Sequence, residues 1–374
     1  MSRKKSLFNE IGGNFSFDPA TIPALEKADP DRVFVGSGEH AVYTSSGRGS
    51  ISLILGELSH DRGVALLPIY TCESVITPFI ARGYDIHYYP IKTNLSVDSD
   101  SLFKMVDGLK PDVVFTQSYF GFDTLRELRP HYETLRKAGV AIIEDITHSL
   151  LSRFDKDGAD YYLASLRKWM GMPDGGVALN MREPFAHRTM NPHTELVNQN
   201  IHAAYLKNEY TYTLDQNIKR EYRRLFYASE DLLDKDLGIY AISEVSCGIL
   251  RQTDLADIRR QRKINFNFLL TRFVEPSLFD LVFPNLPEDV VPLYFPIYVH
   301  GGREEFQKFF AEADIYLPII WPLPPHCEVN LEEESANIYN KILCIPCDQR
   351  YRVNDLKRIS ERLSEFSSFI GNPS

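Results

Sequence analysis

Long apolar runs and clustered basic residues are both missing from this chain of 374 residues. No stretch approaches the roughly 18 apolar residues that a membrane-spanning helix needs. The basic start of the chain is not followed by the apolar segment of a secretory signal. The formal net charge is −10, whereas proteins that hold nucleic acid by its phosphates need clustered Lys and Arg. We therefore expect a soluble protein with neither a membrane nor a nucleic-acid partner.

Cysteine is also scarce. The chain has an odd set of five, namely Cys72, Cys247, Cys327, Cys344 and Cys347. Such a set is typical of reduced thiols in the cytoplasm rather than of a disulfide framework, so we expect a cytoplasmic protein. Cys344 and Cys347 have the C-x-x-C spacing of a zinc site, and His326 and Cys327 precede them. Their apolar setting favours a strand, and we expect no metal.

The chain does have an ordinary globular composition and a regular alternation of strands and helices. It is 44% hydrophobic and 25% charged, which is enough apolar material for a large core. Between residues 40 and 180, short apolar runs alternate with amphipathic stretches, which predicts an α/β fold whose mostly parallel central sheet is flanked by helices. The predicted strands are Val64–Pro68, Asp85–Ile91, Asp112–Ser118, Val140–Glu144, Tyr161–Leu166 and Gly176–Asn180, and the predicted helices are Gly49–Leu58, Ser74–Arg82, Asp100–Leu109 and Leu125–Ala138.

The remainder of the chain changes character. Residues 181–236 are polar and aromatic, and we interpret them as surface helices or a loop-helix excursion. A long helix is predicted over Asp254–Phe273, with Leu255, Ile258, Ile264 and Phe268 on one side. A smaller α+β C-terminal domain follows, with strands at Leu293–Tyr298 and Ile315–Pro325 and helices at Arg303–Ala313 and Val353–Ile370. We expect a large domain at residues 1–260 and a small domain at 261–374.

We expect the functional side chains in the loops after the strands, because ligands of parallel sheets bind beyond the carboxyl ends of the strands. The small residues of Thr44–Ser50 open the first predicted helix. Backbone N–H groups and the helix dipole favour an anion there, and Arg48 can add a charge-assisted bond to a phosphate. The same string could equally be a Ser-capped helix start without any ligand.

Two further segments follow neighbouring predicted strands. Asp145 ends the strand that starts at Val140, where its carboxylate could keep a pyridinium nitrogen protonated or simply cap the next segment. Lys168 follows the next strand and precedes a loop broken by Gly and Pro. We expect its stem to be enclosed, because burial lowers the pKa of an amine and suits it to Schiff-base chemistry. The alternative is a solvated loop lysine.

Taken in order, these segments resemble the DegT/StrS family of sugar aminotransferases, which are pyridoxal 5′-phosphate enzymes of fold type I, the aspartate-aminotransferase-like fold. The resemblance covers the chain well up to Arg262 and only loosely beyond it. The matching pieces are Ser46-Gly47-Arg48, Pro68-Ile69-Tyr70-Thr71-Cys72 with Gly83, Tyr119-Phe120-Gly121, Glu144-Asp145-Ile146-Thr147-His148, Lys168, Asp174-Gly175-Gly176 and Ser243-Glu244.

The resemblance implies a homodimeric aminotransferase that moves an amino group from an amino acid, with glutamate as the expected donor, to a keto acceptor such as a nucleotide-linked keto-sugar. It implies that Lys168 forms the Schiff base with pyridoxal phosphate and moves protons, while Asp145 pairs with the pyridine nitrogen. It further implies a set of residues that hold the cofactor, with His148 near its ring and the phosphate held by Gly47, Arg48 and Ser165.

The chain departs from the family pattern in two places. Where the family stacks an aromatic residue on the cofactor ring, the spacing places Cys72, whose sulfur can pack on a ring, and Tyr70 is the alternative. Before Ser243-Glu244 the family carries Asn and Arg, whereas this chain has Ile239 and Ala241. A lyase, decarboxylase or dehydratase acting on an amino acid, and a non-catalytic relative that binds the cofactor, therefore stay open as alternatives.

Two C-terminal features have two interpretations each. Trp321, in a Pro-rich segment, could line a substrate pocket or pack the small domain, and we favour packing. Arg350 could bind a substrate carboxylate or form an ion pair within the protein.

Overall fold

The computed structural model describes residues 10–16, 40–58, 63–186, 190–331 and 333–371. Within these ranges the chain forms a seven-stranded sheet and a separate three-stranded sheet. Helices pack against both sheets. None of the described helices is long and apolar enough to span a membrane.

The larger sheet has the strand order β1-β7-β6-β5-β4-β2-β3. β7 runs antiparallel to both of its neighbours, and the other pairs are parallel. All five residues of β4 are buried, as expected for a parallel strand covered on both faces. The strands are β1 (Ala41–Thr44), β2 (Val64–Pro68), β3 (Asp85–Tyr89), β4 (Val113–Gln117), β5 (Ala141–Asp145), β6 (Tyr161–Ser165) and β7 (Gly176–Asn180).

Helices connect these strands: α1 (Gly47–Glu57), α2 (Glu73–Ala81), α3 (Ser99–Leu109) and α4 (Tyr132–Lys137). The six strands predicted here from the sequence are confirmed. The predicted helix at Leu125–Ala138 is wrong in its first half, because turns and a short 3₁₀ helix at Arg129–His131 precede α4. Pro130 explains the late start, since proline fits the first turn of a helix and not its interior.

A helical hairpin occupies most of the polar segment after β7. α5 (Thr194–Thr213) and α6 (Gln216–Lys235) pack along each other, which confirms the helical interpretation of this segment. α7 (Glu244–Gln252) and α8 (Leu255–Arg272) follow. The predicted buried side of α8 is wrong in part, since Ile264 is 46% exposed while Arg262 and Asn265 are buried.

The smaller sheet is antiparallel, with the order β10-β9-β8, and confirms the predicted C-terminal α+β domain. The predicted strand at Ile315–Pro325 is wrong: Ile315 forms an isolated bridge with Ile11, and the prolines after it cannot donate to a ladder. The predicted boundary between the large and the small domain, between residues 260 and 261, would fall within α8 and stays a prediction. The elements are β8 (Phe279–Leu281), β9 (Phe295–Val299), α9 (Arg303–Ala311), α10 (Glu333–Lys341), β10 (Ile342–Ile345) and α11 (Val353–Gly371).

A buried ion pair lies behind the larger sheet. Glu144 of β5 is fully buried and accepts hydrogen bonds from Arg129, at 2.8 Å, and from the hydroxyl of Tyr132, at 3.0 Å. Arg129 also pairs with Asp123. Because a buried carboxylate is costly unless it is paired, these donors are needed to stabilise Glu144 in the interior.

Gly121 joins the larger sheet to the segment before β9. It has a φ of 100°, in the left-handed region, and a Cβ added there would lie 2.1 Å from the carbonyl oxygen of Val291. The amide of Leu293 donates to the carbonyl of Phe120 at 2.8 Å, which holds the two segments together.

We expect Gly121→Ala to lower the free energy of unfolding by about 2–4 kcal/mol, because the substitution adds both backbone strain and an atomic overlap. Gly108→Ala is a matched control, since Gly108 lies in α3 with no atom within 4 Å of an added Cβ. The control should be neutral or stabilising by up to about 1 kcal/mol. Urea denaturation measures both, and equal stability of the Gly121 variant and the parent would contradict the expectation.

Candidate active site

A cavity lies at the carboxyl edge of the larger sheet. Its wall includes the start of α1, the ends of β4, β5 and β6, one residue of α6 and one residue of the C-terminal part of the chain. All seven residues that the sequence predicts as site residues contribute to this wall: Gly47, Arg48, Cys72, Asp145, His148, Ser165 and Lys168. Segments far apart in the sequence therefore meet at one place.

One end of the cavity, here called the anion end, consists of Ser46, Gly47 and Arg48 together with Ser165 and Arg167. The hydroxyl of Ser46 caps α1 by accepting from the amide of Gly49 at 3.1 Å. The first N–H groups of a helix have no acceptor within the helix, so those of Gly47 and Arg48 are available to an anion. A Cβ added at Gly47 would lie 3.3 Å from the Cβ of Ser165, which shows how closely α1 approaches the end of β6.

The guanidinium of Arg48 is engaged by acidic residues of α6. It donates to Asp234 at 2.5 Å and lies 3.7 Å from Glu230. Arg167 donates to the same Glu230 at 3.0 Å. Glu230 itself lines the cavity. The sequence prediction included Arg48 but missed Arg167 and Glu230, because no local pattern links α6 to the start of α1.

Asp145 also lines the cavity, at the end of β5. Its side chain is buried and its Oδ1 accepts from the amide of Thr147 at 2.7 Å. Burial raises the pKa of Asp145 to about 6, although the hydrogen bonds from Thr147 and the charge of Lys168 oppose the rise. The carboxylate is therefore mostly ionised at neutral pH, as a partner for a pyridinium nitrogen must be.

His148 is a neutral imidazole in this cavity. Burial lowers its pKa to about 3, and the charge of Lys168 contributes to the decrease. Its Nδ1 lies 3.3 Å from the amide of Phe120, which donates to it, so the ring hydrogen is on Nε2. Trp321 stacks on the ring, with 4.9 Å between centroids and 14° between planes.

Lys168 lies at the end of the 3₁₀ turn Leu166–Lys168. The expectation that its stem is enclosed is wrong, because the side chain is exposed at the mouth of the cavity. The turn explains the difference: it directs the adjacent Leu166 and Trp169 into the core, where both are fully buried, and leaves Lys168 on the open side.

The structure separates the two candidates for the wall beside the cofactor ring. Cys72 lines the cavity. Tyr70 is fully buried instead, and its ring packs within 5.4 Å of Tyr119 and 5.0 Å of Trp321, measured between centroids. Trp321 also lines the cavity, so packing, which we favoured, and a place in the pocket wall both apply to it.

Arg350 and the C-x-x-C cysteines lie elsewhere. Arg350 forms an ion pair with Asp348 at 2.8 Å, in line with the second of its two interpretations. Cys344 and Cys347 are fully buried. In the part of the chain that the structure describes, no group of three or more His, Cys, Asp or Glu residues is arranged to hold a metal ion.

The loop after Lys168 is fastened to α7. Asp174 is fully buried and accepts from the amide of Ser243 at 2.9 Å and from its hydroxyl at 2.6 Å. The hydroxyl of Ser246 donates to the same carboxylate. Thus two of the segments that carry the family resemblance are in direct contact, although they are far apart in the sequence.

Comparisons with known proteins identify the fold. No family model and no curated protein sequence matches the chain. Among solved structures, the aminotransferase TlmJ from Streptoalloteichus hindustanus superposes with a TM-score of 0.64 at 17% identity, over 89% of this chain and 87% of that one. Helicobacter pylori PseC, an aminotransferase involved in the biosynthesis of pseudoaminic acid, gives a TM-score of 0.65 at 13% identity, over 96% and 100% of the two chains.

A third solved structure, the sugar aminotransferase CalS13 from Micromonospora echinospora, gives a TM-score of 0.61 at 14% identity, over 87% of each chain. At these identities the likeness establishes the fold. The chain has the fold of these aminotransferases, and the predicted fold class is confirmed.

We expect the ionised form of Asp145 to destabilise the folded protein when no ligand is bound. Because the folded pKa of about 6 exceeds that of an ordinary Asp, the folded state binds the proton more tightly, and stability falls as the pH rises toward 6. We expect Asp145→Asn, whose side-chain oxygen can still accept from Thr147, to raise the free energy of unfolding by about 1–3 kcal/mol at pH 8 and by much less at pH 4.

Urea denaturation of the ligand-free protein at both pH values measures this effect. Asp107→Asn is a suitable control, because the side chain of Asp107 is 86% exposed, and its effect should not depend on pH in this way. A pH-independent effect of Asp145→Asn would contradict the assignment of a raised pKa.

Proposed function

We propose that this chain is a pyridoxal 5′-phosphate-dependent aminotransferase. The observation that carries the proposal is that Lys168, Asp145 and the start of α1 line one cavity at the sheet edge where ligands of this class of fold bind. The likeness in fold to solved aminotransferases and the ordered motifs of the sequence support it. Pyridoxal phosphate, when bound, supplies the electron sink that stabilises a carbanion at the substrate carbon.

The residues present fit this cofactor. The backbone N–H groups of Gly47 and Arg48 and the hydroxyl of Ser165 would hold its phosphate at the anion end. The carboxylate of Asp145 would pair with the pyridine nitrogen, and that positive partner would oppose the rise that burial causes in the pKa of Asp145. Cys72 and Trp321 would form walls beside the ring.

Two side chains would handle protons. Lys168 would hold the cofactor covalently through Nζ, and its exposed position at the mouth lets the same amine reach a substrate carbon and transfer a proton there. Neutral His148 has its hydrogen on Nε2 and can donate a hydrogen bond to an acceptor oxygen in the cavity. Because its pKa is about 3, this role does not change over the ordinary working pH range.

For substrates, we propose glutamate as the amino donor and a nucleotide-linked keto-sugar as the acceptor. The sequence resemblance to sugar aminotransferases and the fold shared with the sugar aminotransferase CalS13 support this choice. The proposal includes a homodimeric, cytoplasmic enzyme with a large domain at residues 1–260 and a small domain at 261–374.

We expect Lys168→Ala to lower turnover by at least roughly 1,000-fold, because both the covalent link and the proton shuttle are lost. Borohydride reduction followed by mass spectrometry should attach the cofactor to wild-type protein at Lys168 and leave the variant unlabelled. Lys137→Ala, at a side chain that is 74% exposed on α4, should keep wild-type activity and labelling. Retained turnover in the Lys168 variant would refute the assignment.

We also expect glutamate to bleach the visible absorbance of the loaded protein and to release 2-oxoglutarate, because the amino group passes to the cofactor. A keto-sugar acceptor should then restore the absorbance, as ping-pong kinetics require. Turnover of another amino acid without amino transfer would indicate a lyase instead. A loaded protein that is inert toward a panel of amino donors would indicate a non-catalytic relative.

A further inference from the structure

Glu230, from α6, lines the cavity beside the anion end and contacts both of its arginines. Its carboxylate lies 3.0 Å from Arg167, in the turn after β6, and 3.7 Å from Arg48, in the first turn of α1. Asp234, one turn further along α6, holds Arg48 at 2.5 Å. Both arginines of the anion end are therefore already paired with acidic groups of the same chain.

Glu230 is charged under all ordinary conditions. Partial burial alone would raise the pKa of its carboxyl, but the charges of Arg167, Lys168 and Arg48 outweigh burial and lower the pKa to about 2. Half of the side chain is exposed, and the residue lines the cavity together with Lys168. A permanent negative charge thus lies beside the place where a phosphate would bind.

The negative charge of Glu230 acts on any anion that enters the anion end. The pairing with Glu230 partly neutralises the positive charge that Arg48 and Arg167 would present to a phosphate. The like charges of phosphate and carboxylate also repel each other, and this repulsion is strong within a partly enclosed cavity. Both effects weaken the binding of a free anion.

We propose that Glu230 lowers the affinity of the anion end for phosphate groups, so that retention of a phosphate ester depends on the further reaction of its aldehyde with Lys168. The ester gains a second attachment within the same cavity, which raises its overall affinity in the way that linked binding groups do, whereas free phosphate has no such attachment. The inference rests on the proposed function only for the identity of the ester.

The test compares Glu230→Gln with wild-type protein from which bound ligand has been removed. Isothermal titration at pH 7.5 and low ionic strength would measure binding of inorganic phosphate, and absorbance would measure binding of pyridoxal phosphate. We expect Glu230→Gln to bind inorganic phosphate roughly tenfold more tightly, with a gain that shrinks in salt, because the removed charge is partly exposed. The affinity for pyridoxal, which has the aldehyde but no phosphate, should change much less between the two proteins than the affinity for inorganic phosphate.

Two further variants control for non-specific effects. Glu221→Gln makes the same change on the same helix, where Glu221 pairs with Arg224 at 2.7 Å on the surface, and should leave phosphate binding unchanged. Adding Arg167→Gln to Glu230→Gln should remove the gain, because the guanidinium released by the first substitution is then missing.

The outcomes separate this inference from the proposed function. Unchanged or weaker phosphate binding by Glu230→Gln, while wild-type protein takes up pyridoxal phosphate at Lys168, overturns the inference and leaves the function standing. Tighter phosphate binding in a protein that ignores pyridoxal phosphate overturns the function and keeps Glu230 as a residue that limits anion binding.

Discussion

Thr147 joins the turn after β5 to the end of β6 and the turn that follows it through two hydrogen bonds, and a third bond holds Asp145 within the first turn. Its amide donates to Asp145, its hydroxyl accepts from the amide of Ser165, and its carbonyl accepts from the indole of Trp169. Asp145, Ser165 and the neighbour of Lys168 are thereby placed by a single residue. The rest of the cavity depends on this connection, because it fixes the carboxylate relative to both the anion end and the lysine.

Two carboxylates of the cavity show how opposite environments set the charge of one chemical group. Asp145 is buried, so desolvation dominates and raises its pKa, whereas Glu230 has three cations around it that lower its pKa. Both are nevertheless ionised at neutral pH. The cavity therefore contains two anions, one of which would attract the cationic ring nitrogen of the proposed cofactor while the other would oppose anions beside Arg48 and Arg167.

Hydrophobic patterning predicted most of the strands of the larger sheet, and the order of the motifs predicted the residues that share the cavity. β2 and β7 have the predicted bounds, because apolar runs of strand length bounded by turns leave few alternatives. The seven predicted site residues share one cavity, because parallel strands bring their carboxyl ends to a common edge. Local patterns failed where a proline shifted a boundary, as at Pro130, and where prolines precluded a strand, as after Ile315.

Contacts between distant segments could not be predicted from the sequence. Trp321 stacks on His148 and Glu230 pairs with Arg167 across long separations in the chain, and neither contact leaves a periodic signal. The buried side of α8 was missed for a related reason, since Arg262 and Asn265 are satisfied by backbone carbonyls of other segments and polar residues do not register in an apolar pattern. The exposure of Lys168 depends on a single turn after β6.

The chain has two tryptophans, and both are near the cavity: Trp321 forms part of its wall, and Trp169 is the buried residue that directly follows Lys168. Trp169 is fully buried beneath the guanidinium of Arg262, whereas Trp321 lies face to face with an imidazole. The ultraviolet emission of the folded protein therefore comes mainly from indoles next to Lys168 and His148. Energy transfer from these indoles to a visible chromophore bound in the cavity would lower their emission. The fluorescence of the protein would then report whether the cavity is occupied, without any added label.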